Sequence, residues 1–228
     1  MSTALSTVIP DFSIEEAIDQ ITTYFDQQRR LSEDLLLARQ EFRNKTGKIT
    51  ENDPHYRNRT QAFLYWFVFD WKVAATQTCP FWVYLEHLEE TKNWKEYNLL
   101  KPQEEHIHSL FKFIKITKKG ESVIQDLYTG KKYKILDADS LFGVDKGAYF
   151  ETRLFSSNQT YQFADYFIFH PLEVCRNIRK NIKQLKKNKA SIKPFLLQLH
   201  SFHTKWSHYR NIDIKSIYHF DDSYPEAK

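Results

Sequence analysis

The chain has 228 residues, a net charge of +4 and an aromatic share of 16%. A hydrophobic content of 41% excludes wholesale disorder, and so small a positive excess excludes a uniformly basic nucleic-acid coat, so any basic function must come from how the charges are distributed. The two cysteines, Cys79 and Cys175, lie far apart in apolar helical patterns, which excludes a disulfide framework; with no basic start or apolar run in Met1 to Pro10, a cytoplasmic location is expected.

Ser13 and Glu16 form a capping box, and Ile14, Ile18, Ile21, Phe25, Leu31, Leu35, Ala38 and Phe42 keep a helical period that predicts one helix as far as Gly47. A second helix is expected from Asp53-Pro54 to about Ala75. It is apolar nearly all round through Phe63, Trp66, Phe67 and Trp71, the mark of burial on several sides. Its apolar run, Ala62 to Phe69, is far short of the roughly 20 residues a membrane span needs, so no membrane insertion is expected. A third helix follows Pro80, and a short one is expected over Pro102 to His108.

The period then changes. Phe111 to Thr117, Ser122 to Tyr128, Lys132 to Leu136, Ala148 to Phe155 and Tyr161 to Phe169 are rich in aromatic and β-branched residues and are separated by Gly-containing turns, the pattern of five antiparallel strands. Helical periodicity returns after His170-Pro171 with Val174, Ile178, Ile182 and Leu185, and a last helix starts at Pro194. The expected fold is α+β: helices packed around a small five-stranded antiparallel sheet or partial barrel. The expected divisions are a helical region 1–109, a β module 110–170, a helical pair 171–210 and a tail 211–228, all within one structural domain. In the tail, Ile212, Ile214, Ile217 and Phe220 are apolar enough to dock.

Thr46-Gly47, Asp53-Pro54, Tyr56, Arg57, Arg59, Ala62-Phe63-Leu64, Trp66 and Asp70, with Asp126-Leu127-Tyr128-Thr129-Gly130 and Phe169-His170-Pro171, resemble a group of uncharacterised bacterial cytoplasmic proteins of predatory and gliding deltaproteobacteria. The resemblance covers about residues 30–185 and implies a bacterial cytoplasmic protein. It carries over no activity and no site residues.

Two lysine-rich surfaces are the main candidates for function. On the helix after Pro171, Arg176, Lys180, Lys183 and Lys187 share the face opposite Cys175, Ile178, Ile182 and Leu185, with Arg179 and Lys186 flanking and only Glu173 opposing. A one-sign stripe suits a phosphate backbone or an acidic protein face, although many such stripes are the solvated side of an amphipathic helix. In the β module, Lys112, Lys115, Lys118, Lys119, Lys131, Lys132 and Lys134 are interleaved with Phe111, Phe113, Tyr128 and Tyr133. That pattern fits base stacking over a cationic groove, and it equally fits lysines guarding the open face of a half-buried sheet.

Asp70 interrupts an apolar helix and requires a counter-charge if buried. Arg57 and Arg59 lie too far back along the same helix, so an arginine of another helix is expected to pair with it. No cofactor is expected, and no metal, since no cysteine pair or HExxH is present to support the nine histidines. No phosphate loop, dinucleotide fingerprint or nucleophile elbow occurs. The expected function is a non-enzymatic interaction or regulatory module that binds a protein partner through the basic helix or the β-module edge. RNA or DNA binding through the lysine surfaces at 112–134 and 176–189 is the alternative, and an enzyme with a dispersed site comes third.

Overall fold

The computed structural model describes residues 13–157, 160–209 and 211–220. Ser13 caps α1 (Ile14–Gln27) by accepting the Glu16 N–H at 3.2 Å. The helix stops before α2 (Ser32–Thr46), so the single long helix expected there is a hairpin. Residues 26–30 are all exposed, leaving no apolar side chain to anchor a continuing turn. The chain bends back instead, and Leu35, Ala38 and Phe42 reach the core shared with α3 (Tyr56–Asp70).

α3 is buried on several sides, with Phe63, Tyr65, Trp66, Phe67, Val68 and Phe69 all in the core. It ends at Asp70, earlier than expected, because Asp34 on α2 takes over the departing backbone. The Asp34 carboxylate accepts from the Trp71 indole at 3.0 Å and from the Ala74 N–H at 3.1 Å. α4 (Pro80–Glu90) and α5 (Trp94–Leu100) complete this helical layer. The short helix expected over Pro102 to His108 is a 3-10 turn, Lys101–Glu105, and His108 already belongs to a strand.

The β module is the expected curled sheet of five strands, β1 (Ile107–Ile116), β2 (Ser122–Asp126), β3 (Lys132–Ile135), β4 (Tyr149–Ser157) and β5 (Thr160–Phe163), with a short extra strand, β6 (Ile168–His170), paired to β4. The strand expected over Tyr161 to Phe169 is broken at 164–167, where the chain loops past Thr152, whose hydroxyl donates to the Tyr166 carbonyl at 2.8 Å. Both fragments return to the same edge of β4. The sheet order is β3-β2-β1-β4-β5, antiparallel throughout, and it curls until its edges meet. There the Thr160 hydroxyl donates to the Lys134 carbonyl at 3.2 Å, and the Tyr133 and Tyr161 rings pack edge to face at 5.2 Å. Phe111, Phe113, Ile124, Tyr133, Ile135, Phe150 and Leu154 fill the interior.

α6 (Cys175–Lys187) and α7 (Lys193–His208) form a third apolar cluster against Leu110 and Tyr149 of the sheet. Residues 211–220 dock in part, with Ile212 left exposed. α8 (Ile214–Ile217) buries Ile217, Tyr218 is buried against His170, and Phe220 packs on Phe195 and Phe202.

Candidate nucleic-acid interface

α6 is strongly two-faced. Ile178, Ile182 and Leu185 are buried, which fixes the helix's rotation about its axis. Each full burial of such a side chain contributes about 1.5–3 kcal/mol, enough to hold that rotation against a run of mutually repelling cations. Arg176, Arg179, Lys180, Lys183, Lys186 and Lys187 are consequently all exposed, and none is in an ion pair among the described residues. From Arg176 to Lys187 the stripe runs about 16 Å at 1.5 Å per residue.

On the barrel the register assembles a second cationic surface. Lys112 of β1 stands opposite Gln125 of β2, which stands opposite Lys132 of β3. Lys115 stands opposite Val123, which stands opposite Lys134. The lysines thus form two parallel rows across three strands, about 10 Å wide at the usual strand spacing.

Strict alternation does not put Lys112 and Lys115 on one face, because three positions separate them. A bulge between Phe113 and Lys115 absorbs one residue and turns Lys115 outward. Without it, Ile114 would occupy that outer position. Val123, between Lys115 and Lys134 in the register, is only 8% exposed.

Beside these rows, α6 packs its apolar side on the sheet at Tyr149. Lys112 is the register partner of Tyr149. Cys175, at the start of α6, lies against Tyr149, and burial pushes its thiol up to about 11 despite the opposing pull of Lys112. The Tyr149 phenol is also raised by burial and by Cys175, with Arg179 working against them. Lys112 thus stands beside Tyr149 in the sheet, and Tyr149 packs in the same apolar cluster as Cys175 on the buried side of α6.

The rings interleaved with the lysines are not available for base stacking. Phe111, Phe113 and Tyr133 are buried in the barrel, and the Tyr128 hydroxyl donates to the Ala190 carbonyl at 2.8 Å. Exposed apolar side chains occur at one end of the barrel instead, at Leu136 and Phe142, 73% and 82% exposed.

Asp70 is built into a different structure. Its partner is Arg153, from strand β4 rather than from another helix. Arg59 pairs with Asp53, and Arg57 lies 3.7 Å from Glu15. Lys193 at the start of α7 donates to the other Asp70 oxygen at 2.5 Å. Burial opposes ionisation of Asp70, yet Arg153 and Lys193 prevail and hold its carboxyl well below the usual carboxylate range.

Behind this pair, Arg153 lies 2.7 Å from His106, and His108 lies 2.9 Å from Glu151. Burial raises Glu151 to about 8 and lowers His106 to about 3, and it keeps His108 neutral as well. With burial favouring the neutral form of both Glu151 and His108, their contact is a neutral pair beside the Asp70–Arg153 ion pair. These groups face one another. In the cleft of about 300 Å³ beside Cys79, only His106 of this cluster reaches the wall.

Sequence reading missed this cluster except for Asp70. The available signal was the pair Glu151 and Arg153, flanking Thr152 between the apolar pairs Tyr149-Phe150 and Leu154-Phe155. His170, His200 and His203 are also buried, with burial holding His170 and His203 down at about 3, and no group of three metal-binding side chains is assembled among the described residues. No helix among the described residues is long and apolar enough to cross a membrane.

No curated protein and no solved structure matches this chain. A family model described only as a family of unknown function matches residues 16–219, which is most of the chain. The chain therefore belongs to that family, DUF7986.

Proposed function

We propose that this protein is a non-enzymatic binding module that holds nucleic-acid phosphate backbones against the surface formed by α6 and the outer face of β1-β2-β3. The observations that carry the reading are the in-register lysine rows of the barrel and the exposed cationic stripe of α6, in which no ion pair forms among the described residues. Protein interfaces are depleted in lysine and enriched in aromatic residues at their centres, whereas phosphate contacts need cations and no apolar centre. This surface is mostly lysine, arginine and amide, with the nearly covered Val123 its one apolar row member. With the neighbouring rings buried, the expected contact is to backbone and shape, with little base selectivity. The strand order also favours the reading: a β1-β2-β3 meander with β4 and β5 added on the far side of β1 is the order of a small Greek-key barrel that binds oligonucleotides in other proteins. That is an analogy of topology, and the surface chemistry carries more weight. A bacterial cytoplasmic setting belongs to this proposal too.

The test is fluorescence anisotropy with a mixed-sequence single-stranded oligonucleotide at low salt. Two charge-reversed variants are compared: Arg176, Arg179, Lys180 and Lys183 to Glu on the helix, and Lys112, Lys115, Lys132 and Lys134 to Glu on the barrel. The reading expects each to weaken binding by at least tenfold. Loss in one variant only would reduce the interface to that half. A protein partner is the second reading, favoured by the exposed Leu136 and Phe142. It predicts no oligonucleotide binding at any salt concentration, and a partner whose capture depends on Phe142.

A further inference from the structure

A cleft of about 440 Å³ lies between α2, α3 and the loop that joins them, away from the cationic surface. Its floor is apolar: Phe42, Phe63, Leu64 and Ile49. Its rim is cationic: Arg39, Arg43 and Lys48 face it, with Glu51 the one acid in the lining. None of the three cations is in an ion pair among the described residues. Arg39 already lies over the Phe63 ring, 5.8 Å from its centroid.

The loop wall is braced rather than loose. Arg59, fully buried, donates to the Lys48 carbonyl at 3.2 Å and to the Gly47 carbonyl at 3.0 Å while pairing with Asp53. Asp53 in turn accepts from the His55 N–H at 2.8 Å, which fixes the far end of the loop. A pocket whose wall is already held loses little freedom on binding. A ring-and-cation lining of this size is what a small ligand with a flat apolar part and an anionic part requires.

We infer that this cleft binds an aromatic phosphate monoester, of the nucleoside monophosphate class, with the ring against Phe63, Leu64 and Ile49 and the phosphate on Arg43 and Lys48. The charge count selects phosphate over carboxylate. Three cations against one acid leave +2 (3 − 1), which matches a phosphate monoester near −2 at neutral pH and leaves a cation unmatched by a carboxylate. The Arg39 guanidinium over Phe63 favours a flat π-system over an alkyl chain, because it can stack on a second ring as it does on the first. This site is independent of the proposed backbone-binding surface.

The test is calorimetric titration of the full chain with adenosine 5′-monophosphate, adenosine, inorganic phosphate and octyl phosphate. The inference expects the monophosphate to bind at least about tenfold more tightly than adenosine or phosphate alone, since both halves of the cleft contribute. Arg43→Glu with Lys48→Glu, both at the rim, is expected to abolish this binding while the melting temperature stays within a few degrees of the parent. The helix variant with Arg176, Arg179, Lys180 and Lys183 reversed is expected to bind the monophosphate as the parent does. Absence of monophosphate binding at millimolar concentration overturns the inference, as does binding that survives the rim variant or is lost in the helix variant. Octyl phosphate binding in place of the monophosphate overturns the aromatic part. If the rim variant does not fold, Lys48→Glu alone, an exposed position, serves with the same expectations.

Discussion

Asp70, the last residue of α3, is ion-paired with Arg153, in the middle of β4 and 83 positions away, and the pair ties the helical layer to the barrel. The two partners are not equally protected. Arg153 has no exposed side-chain surface, whereas Asp70 retains 9% and a second cation, Lys193. Breaking a buried pair typically costs about 3–5 kcal/mol, mostly from the charge left behind. Asp70→Asn strands a fully buried guanidinium and is expected to reach that range. Arg153→Met leaves Asp70 with Lys193 and is expected to cost less. Urea denaturation of both variants checks the order, and equal losses would contradict the asymmetry.

Glu151 gives the fold a pH dependence of opposite sign to that of its histidines. Its folded pKa of about 8 exceeds the ordinary value of 4.5, so the folded state keeps a proton that the unfolded state releases. Its contribution is complete below about pH 4.5 and is lost as pH rises to about 8. Glu151→Gln keeps a donor toward His108 and cannot ionise. The expected result is a melting temperature that falls less between pH 5 and pH 8 than the parent's, measured by circular dichroism. An unchanged pH profile would remove Glu151 from the account.

His106, His170 and His203 act in the other direction. Burial holds each at about 3, below its ordinary 6.5, so the unfolded state takes up protons that the folded state refuses. Stability is complete above about pH 6.5 and falls as pH drops toward 3. His170→Phe, which removes one of the three, is expected to shift the acid-unfolding midpoint downward. A midpoint unmoved or raised would count against buried neutrality at this position.

Gly47 closes α2 with φ at +94°, and a Cβ there would lie 2.8 Å from the Thr204 Cγ2 on α7. Gly47→Ala is expected to destabilise by about 2–4 kcal/mol, from left-handed strain and from the clash. Thr204→Ser removes the clashing methyl but not the strain, so adding it should recover part of the loss. Thermal melts of the single and double variants separate the two contributions, and no recovery would place the whole cost in the backbone.

The elements that were legible in the sequence are those with a sustained apolar pattern, such as α3, α4, α6 and α7, the starts of α4 and α7 being marked by Pro80 and Pro194. The exposed cations of α6 were legible for the same reason, because Ile178, Ile182 and Leu185 leave only one face for them. What was not legible depended on contacts between distant segments. The break between α1 and α2 follows from where Leu35 and Phe42 must pack. The turn at Trp71 follows from Asp34, and the split of the last strand follows from Thr152 holding Tyr166. The lysine pattern reads as one open face at Lys112 and Lys115, but it is the β1 bulge, with no glycine to announce it, that puts them there. The packing of Cys175 with Tyr149 of the sheet could not be known either, since it joins segments far apart in the chain.

The central claim is that these two surfaces act together on a phosphate backbone, and salt dependence tests it most directly. Each neutralised phosphate on a single strand contributes about −0.7 to the slope of log affinity against log salt concentration. With about six of the cations engaged, the parent protein is expected to give a slope of about −4, and either charge-reversed half about half that. A slope near zero, or no oligonucleotide binding even at low salt, would contradict the account.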